Sequence, residues 1–215
     1  MLHGRETAVV SALLMALVIM ASSHAGDAIY VGAEKCKNCH SAPSKGDPYD
    51  KWLGEKHSNA FKVLTSDEGK KTAKAKGIDD ASKAADCLKC HVTAFEAPAA
   101  MKSNKFDPTL GVQCETCHGP GSKHVDARLK DEGDDDAAAA KLLVLPAGEI
   151  IGAPTAETCM KCHNKDSPNY VPFAFNKFYP VIAHLDPRKK RPADYLEKIP
   201  ADPRDDPKAV APTKK

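Results

Sequence analysis

The sequence predicts a mainly α-helical chain with extensive irregular loops, and three observations predict it. Apolar residues recur at helical spacing after Asp47-Pro48. Acids lead and apolar residues trail from Asp134 to Leu145. No stretch alternates apolar and polar residues as a half-buried strand does. A length of 215 residues fits one domain or two small ones. Apolar residues make up 42% and charged residues 28%, a soluble rather than membrane-embedded composition. Aromatics are only 6%, beside 16 prolines and 13 glycines, so the side chains by themselves make a thin core.

Taken in order, residues 1–25 read as a secretory signal peptide. Arg5 is the basic start, Ala8 to Met20 the apolar region, and Ser23-His24-Ala25 the small-x-small cleavage site, so that the mature chain begins at Gly26. The apolar run falls short of the roughly 20 residues that span a bilayer, which disfavours a retained anchor. No later segment is apolar enough to span, so the mature protein is expected to be soluble, periplasmic and without a stable membrane span. Asp47-Pro48 reads as an N-cap with proline at the first helical position. Trp52, Leu53, His57, Ala60, Phe61 and Leu64 then form an apolar helical face. Ser66 caps a short Lys-rich helix ending near Gly77. A helix over Asp134 to Leu145 stops at Pro146. Phe173 to His184 is aromatic-rich and partly helical, interrupted by Pro180. Residues 201–215 are proline-rich and charged, and read as a disordered tail.

All eight cysteines fall in four Cys-x-x-Cys-His motifs: Cys36, Cys39 and His40; Cys87, Cys90 and His91; Cys114, Cys117 and His118; Cys159, Cys162 and His163. Two thiols that can form thioethers with vinyl groups, followed at once by an imidazole that can reach the iron, are what attachment of a c-type haem requires. A thioredoxin-like site needs one pair and no obligate histidine, a zinc site does not require histidine after each second cysteine, and a disulfide scaffold requires none at all. The motifs therefore predict four covalently bound haem c groups. Their starts lie 51, 27 and 45 residues apart. That irregularity argues against tandem modules and for a single compact multihaem domain, residues 26–200, whose core is largely haem.

Seven histidines remain once His3 and His24 leave with the signal. Four belong to the motifs, which leaves His57, His124 and His184 as distal ligands. Four bis-histidine haems need eight, so one iron lacks a histidine from its own chain. Of the methionines outside the signal, Met160 lies inside the fourth motif and Met101 stands in a small-residue segment that suits packing better than ligation. His124 follows His118 too closely to reach the far side of that histidine's haem, and is expected on a different one.

The formal charge is +2. Haem propionates shift the holoprotein to roughly −2 when oxidised, which argues against nucleic-acid binding. The Lys/Arg runs at 70–76 and 188–191 read as solvated faces.

The string Gly111-Val-Gln-Cys114-Glu-Thr-Cys117-His118-Gly-Pro-Gly121 resembles the third haem segment of the cytochrome c-554 family. The resemblance extends to Asp86-Cys87-Leu-Lys-Cys90-His91-Val92 and to the first motif followed by Lys56-His57-Ser-Asn-Ala60, roughly residues 31 to 185 in all. It implies a tetrahaem periplasmic carrier. On matching positions it also implies that His124 completes the haem of Cys36 and Cys39, His57 that of Cys114 and Cys117, and His184 that of Cys159 and Cys162. The haem held by His91 is then five-coordinate and can take a small ligand. The function expected is electron transfer between redox-partner proteins. Two other readings stay open: an enzyme reducing a small nitrogen oxide or peroxide at the open haem, and a subunit of an extracellular cytochrome filament.

Overall fold

The computed structural model describes residues 27–130 and 143–212. The expected signal peptide lies outside the described residues, as does most of the expected helix over Asp134 to Leu145. Short helices follow one another: α1 (Ala33–His40), α2 (Pro48–Leu53), α3 (Ala60–Leu64), α4 (Asp67–Ala75), α5 (Ala85–His91), α6 (Cys114–His118), α7 (Ser122–Lys130), α8 (Ala156–Met160) and α9 (Phe175–Ile182). Among the described residues there is no strand, and β-type pairing is limited to a bridge between Tyr30 and Lys102. The fold is mainly helical with long irregular loops, as the periodicity predicts. Among the described residues no helix is long and apolar enough to cross a membrane.

The helix expected to run from Pro48 through Leu64 is broken. α2 ends at Leu53 before Gly54, and a 3-10 turn over His57–Asn59 leads into α3. Ser58 explains part of the break, because its hydroxyl donates to the carbonyls of Leu53 and Glu55, competing with continued helix. Asp47 precedes the helix as expected, but at φ 54 its side chain caps nothing. Ser66 does cap α4, its Oγ accepting from the Gly69 amide at 3.1 Å. The stop near Gly77 is a left-handed turn at φ 70. Pro180 sits inside α9, where it cannot donate to the Asn176 carbonyl four residues back, and the helix ends two residues later at Ile182.

Residues 201–212 are placed against the rest of the chain, where composition suggests disorder. Asp205 Oδ1 accepts from the Phe175 amide at 2.6 Å, the Asp206 amide donates to the Phe173 carbonyl at 2.8 Å, and Ala209 is buried. The Asp205 carboxylate, expected in a disordered tail, instead meets the first amide of α9.

Apolar burial is sparse. One cluster joins Ala33, Tyr49 and Trp52 against Leu110 and Cys114; another joins Leu64, Ala73 and Ala81 against Phe61, Cys87 and Leu88. Each lies against a motif cysteine, so the protein core and the cysteine motifs share the same interior.

Candidate cofactor-binding site

Helical geometry aims each motif. Residues i, i+3 and i+4 share one face, so Cys36, Cys39 and His40 on α1 point together, as do Cys87, Cys90 and His91 on α5 and Cys114, Cys117 and His118 on α6. The fourth motif straddles the end of α8, where the His163 amide still donates to the Cys159 carbonyl at 3.0 Å. No disulfide joins any two of the eight cysteines. The Cys36 and Cys114 thiols are near enough to perturb one another, as are those of Cys90 and Cys162. The neighbouring Cys114 thiol and burial push the Cys36 thiol up, while burial pushes Cys117 to about 12. The attachment edges of motifs one and three thus adjoin, as do those of two and four.

The first and third motifs are stitched together by buried polar groups. Glu115, 2% exposed, accepts from the amides of Val31 and Gly32 at 2.8 Å and of Gly121 at 2.7 Å. Gln113 Oε1 accepts from the Ala33 amide at 2.8 Å, and its Nε2 donates to the Asp107 carbonyl at 2.8 Å. A carboxylate and an amide oxygen from the α6 segment therefore cap α1, whose own N-cap, Gly32, has no side chain to do so. Burial pushes the Glu115 carboxyl up, against the three amide donors that pull it down. Gly111, at φ 74, has a further reason to be glycine: a Cβ there would lie 2.9 Å from the His57 carbonyl and 3.0 Å from the Ala60 amide nitrogen. That close approach lets the Val112 amide donate to the His57 carbonyl at 3.0 Å and Trp52 Nε1 donate to the Val112 carbonyl at 2.8 Å, which fixes the segment carrying His57.

Six of the seven histidines among the described residues meet in pairs. The ring centroids of His40 and His124 are 6.1 Å apart, of His57 and His163 6.0 Å, and of His118 and His184 5.9 Å. Two imidazoles bound to one metal from opposite sides have centroids about 6 Å apart, from about 2 Å per metal–nitrogen bond and about 1 Å from nitrogen to ring centre. Several rings are held through Nδ1, which leaves Nε2 as the nitrogen open to a metal. His91 Nδ1 meets the Ala60 carbonyl at 2.6 Å, His118 Nδ1 the Ile151 carbonyl at 2.6 Å, and His184 Nδ1 the Ile182 carbonyl at 3.2 Å. Burial and the neighbouring His124 and Lys45 push His40 down to about 4, and burial likewise lowers His57, His118, His163 and His184. Neutral imidazoles are the form a metal binds. Thiols in pairs, imidazoles at this separation and a core short of side chains fit covalent haem.

The pairing differs from the one the family resemblance implies. His124 faces His40, as implied. His57 faces His163 rather than His118, and His184 faces His118 rather than His163. The chain's path explains the exchange. His118 is bound at its carbonyl and its ring by the amide and carbonyl of Ile151, and the end of α9 delivers His184 to that ring. Among the described residues the other six are paired and His91 faces no histidine ring, the position at which the family resemblance puts the five-coordinate haem.

Three contributors carry no local sequence signal. Glu149 Oε1 accepts from His124 Nδ1 at 2.6 Å and is also bound by Arg128. Burial pushes the Glu149 carboxyl up, but the bonds from His124 and Arg128 outweigh it and hold the group below the ordinary carboxylate range. Phe173, buried, stacks on the His163 ring with centroids 5.1 Å apart.

Residues 35–119 match the family described as cytochrome c554 and c-prime. Cytochrome c-554 of Nitrosomonas europaea is 35% identical over 103 residues, which cover 46% of this chain and 42% of that protein. The chain thus spans less than half the length of the curated relative it matches. No solved structure matches. The family match takes in the first three motifs and His57; His124, the fourth motif and His184 lie beyond it.

Proposed function

We propose that this chain, whose residues 35–119 belong to the cytochrome c554 and c-prime family, is an exported tetrahaem c-type cytochrome that carries electrons between partner redox proteins. The observation that carries the reading is the set of three histidine pairs with centroids 5.9–6.1 Å apart, each containing one motif histidine and one from elsewhere in the chain. Haem bound there supplies a one-electron ferric/ferrous couple. The chain's residues supply the rest. Cys36, Cys39, Cys87, Cys90, Cys114, Cys117, Cys159 and Cys162 hold the groups by thioethers. His40, His91, His118 and His163 ligate from the motif side, and His124, His184 and His57 complete three of the irons. The hydrogen bonds from the rings to the Ala60, Ile151 and Ile182 carbonyls orient them so that little moves when the charge changes. His91, without a partner ring, supports a second capacity, binding of a small ligand such as nitric oxide or cyanide at that centre. The apolar run of residues 8–20 supports export to the periplasm.

Intact mass and a pyridine haemochrome assay on the mature protein are expected to give four covalent haems and no free thiol. Electron paramagnetic resonance on dilute protein is expected to give three low-spin ferric centres and one high-spin centre that alone responds to cyanide. Three or fewer haems, or four low-spin centres, would overturn the assignment. Low-spin conversion of the fourth centre only at high concentration would instead favour a ligand from a second copy, as in a filament.

A further inference from the structure

The bonded histidine rings fall into two chemical classes. His91, His118 and His184 each meet a backbone carbonyl, a neutral acceptor. His124 meets a carboxylate, Glu149, whose side chain is 8% exposed. A carboxylate on the outer nitrogen of an imidazole makes the inner nitrogen a stronger donor, and in a partly buried site its charge is screened less than at the open surface. Both effects favour the ferric centre, which carries one more positive charge than the ferrous one. The guanidinium of Arg128 binds the same Glu149 oxygen, with a side chain only 14% exposed, and opposes part of that field. Arg128 is itself held by the Val144 carbonyl at 3.1 Å. Glu149 is placed by a turn in which its amide donates to the Pro146 carbonyl, and Ile151, two residues on, holds His118. One stretch therefore supports rings of two different pairs, through a charge at His124 and through a neutral dipole at His118.

We propose that Glu149 is a positioning residue that makes the centre between His40 and His124 more reducing than the other two paired centres, with Arg128 setting how much more. The inference rests on the bis-histidine reading above, and it deepens that reading by giving the centres an order. The His40–His124 centre would then be the last of the three paired centres to be reduced and the first to be reoxidised.

The test uses the mature holoprotein and a redox titration followed by electron paramagnetic resonance, which separates the low-spin signals. Glu149→Gln keeps a hydrogen-bond acceptor and removes the charge. One low-spin centre is expected to rise in potential, its ferric-to-ferrous ratio at fixed potential falling about tenfold, which is about 59 mV for a one-electron couple. The other centres stay where they were and all three low-spin signals persist. Arg128→Gln is expected to move that same centre the opposite way, a result that a purely structural role for the pair does not produce. Unchanged potentials in both variants would overturn the inference. So would conversion of one centre to high-spin in Glu149→Gln, which would make Glu149 a mere support for the ring. Failure of the underlying reading looks different: the wild-type protein would then lack three low-spin centres before any substitution is made.

Discussion

Glu115 shows how much one side chain organises. It accepts three amide hydrogen bonds, two from the distant Val31-Gly32 and one from nearby Gly121, while almost fully buried. Both carboxylate oxygens are engaged, Oε1 by Val31 and Gly121 and Oε2 by Gly32. Glu115→Gln replaces one of these oxygens with an NH2 group that faces an amide donor and leaves that donor unsatisfied in the interior. Chemical denaturation of the holoprotein is expected to show a loss of about 1–3 kcal/mol. A loss no larger than that of an exposed Glu→Gln control would mean the carboxylate does not cap α1. Glu115 and Gln113 flank Cys114, so the same residues that bind the first and third motifs together are also the ones that make the Gly111–Gly121 string distinctive.

At the scale of elements, residues 201–212 and α9 form one unit. Asp205 receives the first amide of α9, Tyr170 donates its hydroxyl to Asp206 at 3.1 Å, and Lys177 reaches the Ala209 carbonyl. Beneath this strap lies Phe173, which stacks on His163 and meets Phe178 at a tilt. The strap's acids give it a pH dependence. Hydrogen bonding to Arg204 lowers Asp202 to about 2, and the Lys208 amide, with help from Tyr170, Lys165 and Lys208 itself, lowers Asp206. A carboxyl depressed in the folded state contributes stability that is present above its unfolded value, about 4, and that is lost as the pH falls toward the folded value. Exchange of the Phe175 and Asp206 amides is therefore expected to be slow at pH 5 to 7. Corrected for intrinsic chemistry, it should quicken as the pH falls from about 4 toward about 2. Truncation after Pro200 should make the same amides exchange fast at every pH. Equal protection in the full-length and truncated proteins would show that the strap contributes nothing to α9.

The whole molecule is held by little protein. Among the described residues, six of the eleven buried apolar side chains are alanines, and the two apolar clusters contain three buried residues each. A chain of this length normally buries far more large side chains, and small cores depend on cross-links or bound groups. Replacing all eight motif cysteines with serine removes the covalent attachment while leaving the peptide otherwise similar. That variant is expected to lack a cooperative thermal transition and to bind hydrophobic dyes, in contrast to the holoprotein. A sharp cooperative melt in the haem-free chain would refute the view that the groups held by the motifs are the core.

Chemistry confined to a few adjacent residues was decided by the sequence alone. Cys-x-x-Cys-His places two thiols and an imidazole on one face by the helical repeat, so the proposed attachment sites are legible without any fold. So is the shortfall of one histidine, which is a matter of counting. Ser66 as a cap and the stop near Gly77 are likewise local, because a side-chain oxygen and a left-handed glycine act within one turn. The tertiary structure decided which rings face one another. His57 meets His163, and His118 meets His184, because loops of unequal length and the grip of Ile151 on His118 route the chain that way; neither cause is written in the spacing of the motifs. Glu149 beside His124, Phe173 over His163 and the return of residues 201–212 onto α9 are of the same kind. Each brings together groups far apart in the chain, and hydrogen bonds and packing between such groups depend on the path of the backbone between them, which composition and periodicity do not encode.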